Sequence, residues 1–411
     1  MYTFFFNPRR FVPSYAKYLP VPDGRFPFYS YLCGIKRTHR QIAIHYIYIY
    51  MSKDIVLSGI RPTGNLHLGN YFGALRKFVK MQDDFDCFFF IADLHALTTN
   101  TDPEALHANV KNILAQYLAA GIDPDKAAIF VQSDIPEIPE MYLLLNMHVG
   151  VGELMRTTSF KDKARKALGL AAPGSDASTM TKEEDEAFEH QLFGGDSNKR
   201  VSAGLLTYPT LMAVDILIQK AKYVPVGKDQ EQHLELTRRF ARRFNSFYGV
   251  EEFIEPQNFD FGGKPIKVPG LDGSGKMGKS EGNCIYLIDD PKTLRKKVMR
   301  AVTDEGPKEP NSQMCEPIAN LISLLELAST PEVVQKYRDA YADCSIRYGD
   351  LKKELAEDLT RITEPIRERI NTYLNDETYL RQVLARGAER ARERASKTLA
   401  EVRQIMGLRG F

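Results

Sequence analysis

Three short apolar runs, "DIVLSGI", "DCFFFIADLHAL" and "AAIFVQSDI", alternate with stretches of helical periodicity, and this alternation constrains the fold more than any other feature. A run that is apolar on both faces belongs to a strand covered on both sides, which means a parallel sheet flanked by helices. "YFGALRKFVKMQ" spaces Phe, Leu, Phe and Val along one helical face. "NTDPEAL" opens a second helix, expected from about Pro103 to Ala120, with proline in its first turn. "YVPVGKD" reads as a further strand running into a loop. In open sheets of this class ligands gather beyond the carboxyl ends of the strands, so segments 59–70, 93–95 and 227–230 are expected to converge.

Composition narrows the class of function. The chain is 43% hydrophobic and 26% charged with a net charge of +2, so any nucleic-acid contact must come from a local patch. Cys33, Cys87, Cys284, Cys315 and Cys344 are scattered without a CxxC pair, which predicts reduced thiols and neither a zinc nor an iron–sulfur site. No apolar run is long enough to span a bilayer, so no membrane partner is expected. Residues 1–50 stand apart, with fourteen aromatics, seven Lys/Arg and a single acid, Asp23. They read as a disordered extension: an organellar targeting segment, or, the preferred reading, codons upstream of a true start at Met51. A cytoplasmic location follows unless the segment is a genuine signal. Residues 51–290 read as the α/β domain, with a small, polar, mobile insertion at about 164–200. Residues 291–411 are charged and helical, a second domain.

Two motifs carry the chemistry. In "SGIRPTGNLHLGNYFG" a buried strand gives way to a turn and a helix start, where unpaired amides and positive dipole suit phosphate. Glycines there let a bulky ligand approach the backbone, and His67 and Asn70 add side-chain donors. It is neither GxGxxG nor a Walker loop. In "GSGKMGKSEGN" two lysines, Lys276 and Lys279, stand in a Gly- and Ser-rich loop suited to neutralising transferring phosphates. Either stretch alone could be a solvated turn; the pair, over 200 residues apart, argues for one site.

"HLGN" at 67–70 and "KMGKS" at 276–280 resemble the two signatures of class I aminoacyl-tRNA synthetases. "PTGNLHLGNYFGAL", "GLLTYPTLMAVDIL", "VPVGKDQEQHLELTRRFARRFN" and "AVTD" are similar to the bacterial-type tryptophan members. The resemblance runs from about residue 53 to the C-terminus, interrupted by the 164–200 insertion. It implies a Rossmann-like, HUP-type catalytic domain followed by an α-helical anticodon-binding domain. It further implies activation of L-tryptophan with ATP and Mg²⁺, charging of tRNA(Trp), and a homodimer. Lys276, Lys279, His67 and Asn70 would be catalytic. Arg61, Pro62, Thr63, Gly69, Lys163, Gly227, Asp229, Met277, Gly278 and Ser280 would complete the ATP site. Gly59, His95, Tyr208, Met212, Asp215, Val226 and Gln230 would hold tryptophan.

The residues themselves bear on this. Asp215 lies in an otherwise apolar helical run and must have a partner: a helix terminus or Arg, or the indole N–H of a substrate. Met212, one turn earlier, shares its face and would pack on an indole ring. His95 at a strand end would line the pocket or be a satisfied core histidine. Lys163 fits either a phosphate contact or a basic helix surface. The chain departs from the family wording at Gly278, which replaces Ser, at Arg61, where Gln is usual, and at Ser159, again for Gln. Arg386, Arg390, Arg392 and Arg394 are candidate tRNA contacts, with a solvated helix face as the plainer reading. The competing functions are a tyrosine-specific enzyme and a tryptophan or nucleotide sensor that charges no tRNA.

Overall fold

The apolar runs form strands β1 (Ile55–Ile60), β2 (Asp86–Ile91) and β3 (Ala127–Val131) of a parallel sheet. The computed structural model describes residues 53–98, 102–170, 181–194, 201–227, 230–259 and 266–408. The 1–50 segment and Asp229 lie outside them. Two short strands, β4 (Tyr223–Val224) and β5 (Gln257–Asn258), complete the order β3-β2-β1-β4-β5. Ile55 to Ile60 pairs in register with Asp86 to Ile91, and Val56 also faces Tyr223. The chain order reverses across β1, between β2 and β4, which opens a crevice at the carboxyl end of the sheet.

Alternation along the strands sorts the core into two layers. Val56, Cys87, Phe89 and Ile91 enter one buried cluster; Leu57, Phe88, Phe90 and Phe130 enter another. Downstream of β1 come α1 (Leu68–Asn70), a π-helical turn Tyr71–Leu75, and α2 (Arg76–Asp84). After β2 follow α3 (Asp93–Ala96) and α4 (Pro103–Ala120), whose ends match the sequence reading. The reason is local. The Asp102 carboxylate caps the amides of Glu104 and Ala105, Pro103 occupies the first turn, and Gly121 ends the helix at φ 108°.

Beyond β3 lie α5 (Glu137–Asn146), α6 (Val151–Met155), α7 (Thr158–Leu168), α8 (Lys182–Gly194), α9 (Ala203–Ile218) and α10 (Glu231–Tyr248). Part of the 164–200 stretch, expected to be a mobile insertion, is thus helical. Phe188 of α8 is buried against Phe160 of α7, with Ala164, Leu168 and Leu205 around it. A single aromatic anchor leaves no helical period strong enough to show in so polar a sequence.

The C-terminal helices are α11 (Pro291–Met299), α12 (Glu316–Ala328), α13 (Pro331–Ala342), α14 (Tyr348–Asn375) and α15 (Glu377–Ile405). They fold back on the sheet, and residues 53–411 form one compact unit. Leu359 and Ile366 of α14 share a cluster with Val56 and Phe89; Ala391, Ala395 and Val402 of α15 share the other with Phe88 and Phe130. The arginines of α15 serve this docking. Arg386 pairs with Asp125 at 2.8 Å, Arg390 pairs with Asp86, Arg392 reaches Glu137 at 3.9 Å, and Arg394 donates to the Gln219 carbonyl at 3.3 Å. Arg386 and Arg392 are exposed, as a solvated helix face would have them, whereas Arg390 and Arg394 are half-buried against the sheet domain.

Gly387 is a point of very close approach. A Cβ there would collide with the Ile129 backbone in β3. Replacement by alanine gains about 1 kcal/mol of helix propensity but forces α15 off the sheet, at about 1–3 kcal/mol or more. Gly387→Ala is therefore expected to lower the urea midpoint at unchanged m-value; a raised midpoint would show that α15 does not rest on β3.

Candidate active site

The two motifs meet because their backbones pair. Leu68 N–H donates to the Ile285 carbonyl at 2.9 Å, and Leu287 N–H donates to Leu66 O at 2.9 Å, making an antiparallel bridge between His67 and Tyr286. Gln116 of α4 accepts the Leu66 N–H from below at 2.8 Å. The lysine loop, which precedes residues 285–287, is thereby laid against the "HLGN" turn. Lys279 donates to the Gly64 carbonyl at 3.0 Å. The turn itself rests on Gly64 at φ 100°, a conformation that favours glycine.

The loop is held by one amide. The Asn283 side chain is buried; its Nδ2 donates to Asp272 at 3.0 Å, Ser274 at 3.1 Å and the Lys276 carbonyl at 3.1 Å, and its Oδ1 accepts from Gly278 N–H at 2.9 Å. Met277 is buried in the core and its N–H donates to Val268 O at 2.8 Å, so this side chain anchors the loop. Lys276 is exposed beside it. The Ser280 side chain lies outside the described residues.

His67 sits at the N-cap of α1 in extended conformation, and its backbone N–H donates to Asn70 Oδ1 at 3.1 Å. With Oδ1 engaged, Asn70 has its Nδ2 donors to offer. Burial, with Lys279 and Lys276 nearby, pushes the His67 imidazole down to about 4, so it is neutral at pH 7. Its buried Nδ1 has no hydrogen-bond partner among the described residues. The glycines also serve the packing of the protein itself. A Cβ on Gly69 would lie 2.7 Å from the His67 ring, and one on Gly59 would lie 2.6 Å from the Phe90 ring. Each makes room for a neighbouring ring. The helix-start amides are also largely committed, Leu68 to Ile285 and Asn70 to the His67 carbonyl. Side chains more than bare amides must therefore meet an anion here.

A cavity of about 480 Å³ opens above this turn. Gly59, Arg61, Thr63, His67, Asn70, Lys163 and Lys279 line one end; His95, Tyr208, Met212, Asp215, Val226, Gly227 and Gln230 line the rest. Of the residues expected in the site, Pro62, Gly69, Lys276, Met277 and Gly278 do not line this cavity; Pro62 and Met277 are buried and Lys276 is exposed. Arg61 and Lys163 share the cationic end. Burial, with the Arg61 charge beside it, lowers Lys163 to about 8; burial also lowers Arg61. Lys163 Nζ lies 3.6 Å from the centroid of the Tyr208 ring, a cation–π contact. Two like charges facing a cavity are a preformed receptor for an anion.

The other end is built around a buried carboxylate. Asp215 of α9 receives His95 Nε2 at 2.9 Å and Gln132 Nε2 at 2.8 and 2.9 Å, one to each oxygen. Burial raises its pKa, and these bonds act the other way. Its partners are thus a histidine and a glutamine, neither the helix terminus nor the Arg considered from sequence. Gln132 directly follows β3 and carried no sequence signal; nor did His233 of α10, whose Nε2 lies 2.8 Å from the Tyr208 hydroxyl and 2.9 Å from Ser159 Oγ. Among the described residues no group of three or more His, Cys, Asp or Glu is arranged to hold a metal, and no helix is long and apolar enough to cross a membrane.

The chain is similar to known proteins over most of its length. Residues 52–364 match the family model described as tRNA synthetases class I (W and Y). A tryptophan–tRNA ligase of Porphyromonas gingivalis is 57% identical over 356 residues, covering 87% of this chain and all of that protein. One from Rhodopirellula baltica is 41% identical, covering 86% of this chain and 99% of its own. The crystal structure of tryptophanyl-tRNA synthetase from Campylobacter jejuni, complexed with ADP and tryptophan, superposes with a TM-score of 0.71 at 33% identity, covering 86% of this chain and 99% of its own. The chain belongs to the class I tRNA synthetase family of the tryptophan and tyrosine enzymes.

Proposed function

We propose that this cavity activates L-tryptophan with ATP and that the chain then transfers it to tRNA(Trp). The observation that carries this reading is the meeting of a cationic end and a buried hydrogen-bond acceptor in one cavity. The tryptophan carboxylate attacks the α-phosphorus, and pyrophosphate leaves with Mg²⁺, which arrives with ATP as part of the substrate. A ribose hydroxyl at the tRNA 3′ end next attacks the mixed anhydride, and AMP departs. No protein nucleophile is needed: catalysis is positioning and charge neutralisation.

Lys279, Lys163 and Arg61 neutralise phosphate oxygens, with Lys276 closing from the loop and Asn70 and neutral His67 donating hydrogen bonds. Ser280 and Asp229 complete the ATP and amino-acid contacts. Asp215 accepts the indole N–H, Met212 packs on the ring, and Tyr208 and Gln230 hold the α-amino group. A phenylalanine would leave the carboxylate without that donor, a discrimination of about 10⁴-fold in sites of this kind. Residues 291–411 bind the anticodon end, and the reaction runs in the cytoplasm. A homodimer is supported by an exposed apolar cluster in which Leu143 (56%), Met147 (66%), Val151 (61%) and Phe247 (70%) face solvent, with His148 against the Phe247 ring.

Three outcomes test the reading. ATP–pyrophosphate exchange should depend on tryptophan; dependence on tyrosine would reassign the substrate, and none would favour a sensor. The chain contains no Trp, so bound tryptophan can be titrated by its own fluorescence. Asp215→Ala strands the His95 and Gln132 donors and should weaken tryptophan binding about 100-fold while the ATP KM stays within about twofold. Phosphate binding raises the Lys163 pKa above its free value of about 8. The charged form is thus favoured in the complex, so affinity is full below pH 8 and lost as pH rises through it. ATP KM should climb by up to about tenfold per pH unit above 8. Lys163→Arg should flatten that limb; an unaltered limb would remove Lys163 from the phosphate site.

A further inference from the structure

Gln132 is fully buried and does not line the cavity, yet it touches both groups that define its acceptor end. Its Nε2 reaches both oxygens of Asp215, at 2.8 and 2.9 Å, and its Oε1 accepts the backbone N–H of His95 at 3.3 Å. That second bond fixes which end of the amide faces the carboxylate; a flipped amide would set oxygen against oxygen and lose the His95 bond as well. His95 Nε2 closes the ring on Asp215 Oδ2 at 2.9 Å. Among the described residues Oδ2 thus accepts two donors and Oδ1 one, which leaves Oδ1 a lone pair for a donor in the cavity.

We propose that Gln132 is a positioning residue that determines amino-acid specificity by holding Asp215 as an oriented acceptor for a ring N–H. The inference rests on the assignment of Asp215 to the indole under Proposed function. The buried helix α9 offers the carboxylate no rotational restraint of its own beyond packing. An amide gripping both oxygens fixes the plane of the carboxylate. It also supplies hydrogen bonds that only the ionised form can accept fully, and so opposes the burial that favours the protonated acid. A protonated Asp215 could offer a donor where the indole N–H needs an acceptor. The titratable groups facing this amide are Asp215 on α9 and His95 and Asp93 on α3; Asp134, two residues beyond Gln132, feels the charge of Asp93.

The test uses the full chain in tryptophan-dependent pyrophosphate exchange, with tryptophan compared to 3-benzothienyl-alanine, in which sulfur replaces the ring N–H. Gln132→Met keeps the volume and removes both bonds. The tryptophan KM should rise about tenfold or more, the scale of a lost hydrogen bond to a charged group, and preference over the sulfur analogue should fall by a similar factor. The ATP KM should stay within about threefold. Gln132→Glu places a second carboxyl against Asp215, and the two must share a proton. Once protonated, the introduced carboxyl can again donate to Asp215, so this variant should regain tryptophan affinity as pH falls from 8 to 6, which the parent does not. An unchanged tryptophan KM and preference in Gln132→Met, a joint rise of both substrate KM values, or a pH-independent Gln132→Glu would each overturn the inference. If Asp215→Ala also left tryptophan binding intact, the pocket assignment itself would fall; if Asp215→Ala lost binding and Gln132→Met did not, the inference alone would.

Discussion

The antiparallel bridge between Leu66–Leu68 and Ile285–Leu287 is the contact on which the site depends. Two motifs separated by more than 200 residues become one surface only because these backbones exchange hydrogen bonds. Everything near it serves that geometry. Gln116 satisfies the Leu66 amide from the core, Met277 pins the loop, and Asn283 gathers the loop's backbone around one side chain. Lys279 is then held against the Gly64 carbonyl, within a side chain's swing of the cavity. A phosphate replaces that carbonyl as a stronger acceptor, so the lysine can move from a neutral partner to a charged one without leaving the site.

Opposite demands shape the two ends of the cavity. At one end, Arg61 and Lys163 are kept partly desolvated beside each other, which costs stability in the free protein and is relieved by an anion. At the other, a buried carboxylate is retained by donors from the β2 and β3 sides of the crevice. The strand order places both ends together: the reversal at β1 opens the crevice, and β2, β3 and β4 deliver their carboxyl-terminal residues into it.

Local chemistry was legible in the sequence where it decides structure alone. Asp102, Pro103 and Gly121 set the ends of α4, and unbroken apolar runs set β1 to β3. The need for a partner at Asp215 followed from its apolar surroundings. The partner did not, because Gln132 lies 83 positions away and is defined by the sheet, not by its neighbours. β5 was missed for a related reason: Gln257–Asn258 is two exposed polar residues that become a strand by pairing with β4. The purpose of Gly59 and Gly69 needed the rings of Phe90 and His67 to be in place. The arginines of α15 were readable as charges but not as links to Asp86, Asp125 and Glu137.

The central claim is that the two motifs act as a single ATP site. A double-mutant cycle on kcat/KM for ATP in tryptophan-dependent pyrophosphate exchange, using Asn70→Ala, Lys279→Ala and the double variant, measures it directly. Groups that hold the same phosphates are coupled, so the double variant should lose markedly less than the product of the single losses, by about tenfold. Strict multiplicativity of the two losses would contradict the account, because it would mean that the "HLGN" turn and the lysine loop act on ATP independently.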